Sequence, residues 1–203
     1  MGKVIFNITV SLDGFVAGPN DSPENGLGDG GGPLFNWYFS GDTEILLSEG
    51  TPPLKVSKQS AELLKNSVAK YGAGIWGRKT FDIAHAWGGN PPGSPAFIVT
   101  HNVPQEWVYE GSSFTFVTDG VESAVRQAKE AAGDKDVVVC TASILQQALN
   151  AGLMDELHLD VAPLLLGKGV RLFDHLQIEP ITLERIHAIE APNVTHMAFR
   201  IVK

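Results

Sequence analysis

Three consecutive valines, Val137 to Val139, inside the run Asp136 to Cys140, constrain this chain most. A strand with one wet face alternates apolar and polar residues, whereas a run that is apolar at every position must be covered on both faces. Such strands are built into parallel sheets, and parallel neighbours need a crossover, usually a helix. The next residues, "TASILQQAL", supply one. Ser143 and Gln146 have capping-box spacing for a short helix reaching Ala151. The valine run therefore predicts an α/β chain.

The same alternation recurs along the sequence. In residues 3 to 11, Val4, Phe6, Ile8 and Val10 alternate with Ile5, Asn7 and Thr9, as in a strand. Ser57 to Tyr71 reads as a helix, with Ala61, Leu64, Val68 and Tyr71 on one face and Gly72 as its stop. Ala73 to Trp76 is a short buried strand, and residues 78 to 87 are helical up to Gly88-Gly89. Ala96 to Thr100 and Phe114 to Val117 are strands. Asp119 and Glu122 form a second capping box, for a helix with Val121, Ala124, Val125 and Ala128 inward and Gly133 at its end. After residue 151 the pattern changes. Leu157, Leu159 and Val161 alternate, as do Met197, Phe199 and Ile201, with "ITLERIHAIE" between them. These read as antiparallel strands closing the sheet. The expected architecture is one domain over residues 1 to 203, a doubly wound, mainly parallel sheet with an antiparallel C-terminal edge.

Composition narrows the function. The formal net charge of -8 argues against a general nucleic-acid or membrane-surface binder, which would present clustered cations. An anionic ligand must then be caught by a local device. The single cysteine, Cys140, leaves no disulfide framework or thiolate zinc site, and the six histidines show no metal-ligand spacing, so no metal is expected. The N-terminal "MGKVIFNITV" is too short and strand-like for a signal peptide, and no apolar run approaches the roughly 20 residues of a membrane helix. The expected compartment is the cytoplasm. Nucleophile-elbow, phosphate-loop and zinc-deaminase signatures are absent.

Four stretches stand where an α/β sheet places its ligands, at the carboxyl ends of strands, and a long loop joins them as a fifth candidate. In "YGAGIWGRKTF" a buried strand meets a helix at Gly77, Arg78, Lys79 and Thr80. Cations in a first helical turn oppose the macrodipole, which a bound phosphate would offset; the plainer reading is a junction with solvated cations. Cys140 to Leu145 repeats the design with small residues, suited to a pyrophosphate or simply to a capped helix. Thr100 and His101 in "VTHN" could hold a ribose phosphate or lie in an ordinary polar loop. Asp13 in "SLDG" could bind a substrate donor or relay a proton, or belong to an Asp-Gly turn. The long loop 18 to 33 reads as a lid over a substrate. Its Gly26, Gly28 and Gly31 satisfy G-x-G-x-x-G without the flanking strand and helix that a dinucleotide fingerprint requires. His158 and Asp160 read as a polar strand face.

Taken in order, "ITVSLDGFVAGPND", "GRKTF", "VTH" and "ALNAGLMDELHLDVAPLLLGKGVRLF" resemble the dihydrofolate reductase-like family. That family includes the reductase domain of the bifunctional riboflavin-biosynthesis deaminase/reductase. The resemblance covers nearly the whole chain. It implies a dihydrofolate reductase-like three-layer fold, NADPH as hydride donor, a small-molecule substrate and frequently a homodimer. Hydride would pass to a C=N or C=O bond of a small heterocyclic or sugar-derived compound. By the resemblance, Gly77, Arg78, Lys79 and Thr80 meet the NADPH phosphates, and Thr100 and His101 lie near the adenosine 2′-phosphate. Cys140, Thr141, Ala142, Ser143, Ile144 and Leu145 hold the pyrophosphate, and Ala17 and Gly18 approach the nicotinamide. Asp13, Gly167 and Gly169 face the substrate, with Phe35 and Trp37 covering the site. Relatives usually carry a glycine pair where this chain has Cys140-Thr141. Dihydrofolate reductases proper place an acid after the first long loop, where this chain offers only Asp42 and Glu44. A ligand-binding protein without turnover, on the same scaffold, is the alternative reading.

Overall fold

The computed structural model describes residues 2–47, 52–93 and 95–203. In chain order the first elements are β1 (Val4–Ser11), β2 (Phe15–Ala17), a 3-10 segment (Gly32–Phe39), β3 (Thr43–Ile45), β4 (Leu54–Val56) and α1 (Lys58–Val68). Then come β5 (Tyr71–Gly77), α2 (Arg78–Ile83), β6 (Ala96–Val99), β7 (Phe114–Val117), α3 (Val121–Ala132), β8 (Asp136–Val139) and α4 (Ala142–Asn150). The chain closes with β9 (Glu156–Ala162), β10 (Val170–Arg171), β11 (Leu183–Ala191) and β12 (Val194–Ile201).

Eight strands form one sheet in the order β11-β12-β9-β1-β8-β5-β6-β7. The valine run takes the place its composition demands. β8 pairs in parallel with both β1 and β5, and Val137, Val138 and Val139 are all buried. Each is covered from both sides at a gain of about 1.5–3 kcal/mol per fully buried apolar side chain. On one face, α3 and α4 pack on Val4, Phe6, Ile75, Val137 and Val139. On the other, α1 and the 3-10 segment gather around Trp37, Val56 and Leu64, and Phe81 of α2 joins Trp76, Ile98 and Phe114. Sheet and two helical layers make the three-layer α/β arrangement. No helix among the described residues is long and apolar enough to cross a membrane.

Several local expectations are corrected. β9 is parallel to β1 and antiparallel only to β12, so the alternation of Leu157, Leu159 and Val161 belongs to an interior strand. α1 stops at Val68, and Tyr71 and Gly72 open β5. Gly72 is needed for close packing, since a Cβ there would lie 2.9 Å from the Ala132 backbone. α2 ends at Ile83, and His85 to Gly88 turn left-handed with φ between 48° and 60°. That reversal sets Trp87 beside Trp76, ring centroids 5.3 Å apart. Neither capping box forms. Gly120 occupies the cap of α3, one residue after Asp119, and the cap of α4 is Thr141. The Gln146 amide instead donates to the Arg171 and Leu172 carbonyls.

Candidate active site

A cavity of about 760 Å³ opens where β5 runs into α2 and β8 into α4. The loop 18–33 contributes Asp21, Gly26 and Leu27 to its wall, so the segment expected to act as a lid does border it. The loop is held in shape by Asp29, whose carboxylate accepts from Asn20 and Asn25 at 2.7 and 2.9 Å. Those two amides hold the Asp29 carboxyl below its usual range. Aromatic rings form much of the remaining wall, from Phe35, Tyr38, Tyr71, Trp76 and Trp87.

The structure brings one group of the candidate residues to this cavity: Ala17, Phe35, Lys79, Thr80, Cys140, Thr141, Ala142 and Ser143 all line it. Thr141 ties the two junctions together. Its hydroxyl accepts from the Gly77 N–H at 3.1 Å and donates to Thr80 Oγ1 at 3.2 Å. Gly77 therefore spends its N–H inside the protein, packed on the start of α4. A Cβ there would sit 3.2 Å from Thr141 Cγ2. The first turn of α4 has no side-chain cap for its leading N–H groups, and its Ala142 and Ser143 line the cavity. The Cys140 thiol is pushed up to about 12 by burial and stays protonated near neutrality.

A second group lies at one end of α2. Arg78 donates through Nε to Asp82 at 2.8 Å and through its terminal nitrogen to the Asn102 carbonyl. The buried Thr100 hydroxyl donates to that same carbonyl at 2.9 Å, and exposed His101 lies between them. Lys79 is paired with Asp21 at 2.7 Å. Both cations of "GRKTF" thus have protein carboxylates that offset their unfavourable place in the helix.

The rest of the expected site is elsewhere. Asp13 is outside the cavity wall and clamps a turn. It accepts from the Ser11 hydroxyl at 2.6 Å and from the N–H groups of Leu166 and Gly167 at 3.1 and 2.7 Å. The Ser11 bond first, then the two backbone bonds, hold its carboxyl low, which suits a structural anion and not a proton donor. Gly18 and Gly169 meet backbone to backbone, because a Cβ on Gly169 would come 2.9 Å from Gly18 Cα, and neither lines the cavity. Gly167, at φ 74°, makes the turn that Asp13 holds. Trp37 belongs to the core: it is 1% exposed and its indole N–H donates to Thr9 Oγ1 at 3.2 Å. Ile144 and Leu145 are core residues of α4. Asp42 and Glu44 do not reach the cavity.

The family profile described as the RibD C-terminal domain matches residues 2–196. The chain belongs to that family. Among curated proteins none matches by sequence. Solved structures share the fold. A protein assigned to riboflavin biosynthesis from Shewanella sp. PV-4 superposes with a TM-score of 0.68 at 21% identity, with 99% of each chain covered. The Thermotoga maritima diaminohydroxyphosphoribosylaminopyrimidine deaminase/5-amino-6-(5-phosphoribosylamino)uracil reductase gives 0.60 at 13% identity, covering 99% of this chain and 57% of that longer one. Dihydrofolate reductase from Enterococcus faecalis, complexed with NADP(H) and RAB-propyl, gives 0.55 at 11% identity, covering 100% and 98%. Membership of the RibD C-terminal domain family supports an oxidoreductase of this broad type.

The cavity of this RibD-type domain also holds residues to which the sequence pattern gives no ligand role. Asp160, expected with His158 on a polar strand face, is 3% exposed and lines the cavity. Tyr38 and Tyr71 line it too. Burial first, then the charge of Asp160, pushes the Tyr38 phenol up; burial, Cys140 and Asp160 do the same to Tyr71. The one signal in the sequence is an acid flanked by the apolar Leu159 and Val161, in "LHLDVA". Among the described residues no cluster of histidine, cysteine and acid side chains is arranged to hold a metal.

Proposed function

We propose that this chain is an NADPH-dependent reductase that passes hydride to a C=N or C=O bond of a small heterocyclic or sugar-derived substrate. The observation that carries the reading is the cavity at the junction of β8 and α4. It sets an uncapped helix start and the small residues Ala142 and Ser143 against a pocket walled by aromatic rings. A helix start with free N–H groups takes phosphate oxygens, and flat apolar walls accept a nicotinamide while excluding water. Bound there, the nicotinamide would supply the hydride. Ala142, Ser143 and Ile144 would hold the pyrophosphate through backbone N–H groups. Arg78, Thr100 and His101 form the group that an adenosine 2′-phosphate would meet. Ala17 would lie against the nicotinamide and Phe35 over the substrate.

The donor set fits the cofactor. The ion pairs Lys79–Asp21 and Arg78–Asp82 involve partly exposed cations, and such pairs contribute only about 0–1 kcal/mol. A phosphate can replace a carboxylate there at small cost. Thr141 fills the space left by a glycine pair, but its hydroxyl is engaged with Gly77 and Thr80 and turns away from the helix start. The exposed Leu12 and Leu165 sit on turns joined by the Leu12 N–H to the Leu164 carbonyl. They supply apolar surface for a homodimer, and the proposed setting is the cytoplasm.

The test is a titration of the full chain with NADPH and with NADH, followed by energy transfer from tryptophan to the reduced nicotinamide. Trp76 and Trp87 line the cavity and report directly. Saturable binding, tighter for NADPH and weakened several-fold by Arg78→Ala, is the expected result. Absence of binding by either nucleotide would favour the ligand-binding alternative without turnover.

A further inference from the structure

The cavity extends well beyond the strand–helix junctions at which it opens. β5 runs from Tyr71 to Gly77. A strand rises about 3.3 Å per residue, so Tyr71 stands roughly 20 Å from the Gly77 junction. Trp76 and Tyr71 both line the cavity, which therefore follows β5 back toward its start. The Trp76 ring lies along the strand, where a Cβ on Gly74 would come 2.0 Å from it. Leu64, Ser67 and Val68 of α1 join the wall. The cavity thus has an outer end at α2 and α4 and an inner compartment beside α1.

Three polar side chains from three elements line that compartment: Asn7 of β1, Ser67 of α1 and Tyr71 of β5. β1 pairs with β8 only as far as Phe6 and Val139, so Asn7 stands where those two strands part. Asn7 and Ser67 also border a water-sized space of about 20 Å³, which sets them near one another. The Asn7 amide bonds no other described residue. Tyr71 Oη is buried without a hydrogen-bond partner, with Ser67 near it but outside bonding geometry. Buried polar groups are almost always paired, and a cavity orients its ligand through a few such placed groups.

The chemistry of the three groups selects what they take. An amide and a serine hydroxyl each donate and accept, and the Tyr71 phenol, pushed up first by burial, stays protonated and donates. All three are neutral. Among the described lining residues Lys79 is the one lysine or arginine, and it stands at the outer end, paired with Asp21. A phosphate drawn inward would lose its water with no counter-charge to replace it, and Asp160 on the wall would repel it. A hydroxyl is donor and acceptor at once and matches the set. Leu64 and Val68 offer apolar contact to the carbons that carry it.

We infer that the inner compartment is a subsite for an uncharged, hydroxyl-bearing arm of the substrate, held by Asn7, Ser67 and Tyr71, and that it refuses a phosphorylated arm. The inference rests on the reductase reading for what is reduced, and stands apart from it for how the arm is held.

Three probes share one ring and differ in the arm: uracil has none, uridine a hydroxylated one, and uridine monophosphate the same arm phosphorylated. Each is titrated into the full chain by calorimetry. Uridine binds saturably, roughly tenfold more tightly than either of the others. Asn7→Ala weakens uridine roughly tenfold and leaves uracil unchanged, as loss of neutral hydrogen bonds to the arm does. Ser67→Ala and Tyr71→Phe weaken uridine several-fold. Tyr71→Phe removes a hydroxyl that bonds no described residue, so the unfolding temperature does not fall. These two variants decide the matter if Asn7→Ala does not fold. The inference is overturned if uridine does not bind, if it binds no more tightly than uracil or the monophosphate, or if the folded variants bind it unchanged or lose uracil equally. NADPH titrated alone into the same proteins keeps the two readings separate. Its affinity is unaltered in the variants, and a loss matching that of uridine would give the compartment to the nucleotide and overturn the inference. Uridine binding without NADPH binding sinks the reductase reading alone, and NADPH binding without uridine binding sinks this inference alone.

Discussion

The two strand–helix junctions that meet at the cavity differ in a way their sequences conceal. The β5–α2 junction carries Arg78 and Lys79 and looks built for an anion. Its helix is six residues long, its cations are paired with Asp82 and Asp21, and its Gly77 N–H is given to Thr141. The β8–α4 junction has no charge at all. Its helix runs nine residues and begins without a side-chain cap, with Ala142 and Ser143 on the cavity. The conspicuous junction is the satisfied one, and the plain junction is the open one. Charge in a sequence marks a place where a counter-charge is needed; whether protein or ligand supplies it depends on what the fold brings near.

The sharpest way to break this comparison is to close the open junction. Ser143 is exposed in the first turn of α4. Ser143→Asp places an anion where the helix dipole favours it, raising stability by about 0.3–1 kcal/mol. The same charge repels a bound pyrophosphate and lowers NADPH affinity roughly tenfold to a hundredfold. Opposite signs in thermal unfolding and in nucleotide titration are the expected pattern. Unaltered NADPH affinity would move the pyrophosphate away from α4.

Thr141→Val tests the link between the junctions. Valine keeps the shape and removes the hydroxyl, leaving the Gly77 N–H and Thr80 Oγ1 without that partner. A loss of about 1–3 kcal/mol in urea unfolding follows if no water takes over. An unchanged midpoint would mean that the Gly77 N–H can serve a ligand after all, and that the two junctions are more alike than their hydrogen bonds make them.

What can be read in advance follows from what each pattern encodes. Period-two alternation and the valine run report burial, so β1, β7 and β8 are legible nearly to the residue. Alternation is the same in parallel and antiparallel strands, so it does not show that β9 is parallel to β1 while antiparallel to β12. Helix ends are misplaced where tertiary contact decides them: Gly72 serves the close approach of Ala132 and caps nothing. The cavity residues at strand ends are legible because α/β sheets put ligands there. Asp160 is not, because its burial depends on His196, 36 residues later, and on the register with Thr9. Asp13 stands out as an acid at a strand end, and only the fold reveals the Leu166–Gly167 turn that occupies it.

The smallest effect concerns the pair that makes the charged junction look full. Lys79 is well exposed, whereas the Asp21 side chain is only 13% exposed and stands on the cavity wall. Asp21→Asn frees the ammonium and removes an anion that a phosphate must pass. Because the lost pair contributes about 0–1 kcal/mol, stability should hardly move, and NADPH affinity should rise a few-fold. The gain should shrink as salt is raised, since the Debye length falls from about 10 Å at 0.1 M to about 3 Å at 1 M. Weaker binding at every ionic strength would give Asp21 another role, that of holding the loop 18–33 against the cavity through Lys79. In that case the satisfied junction would be acting on the open one through the shape of the loop, and the charge on Lys79 would matter only as its anchor.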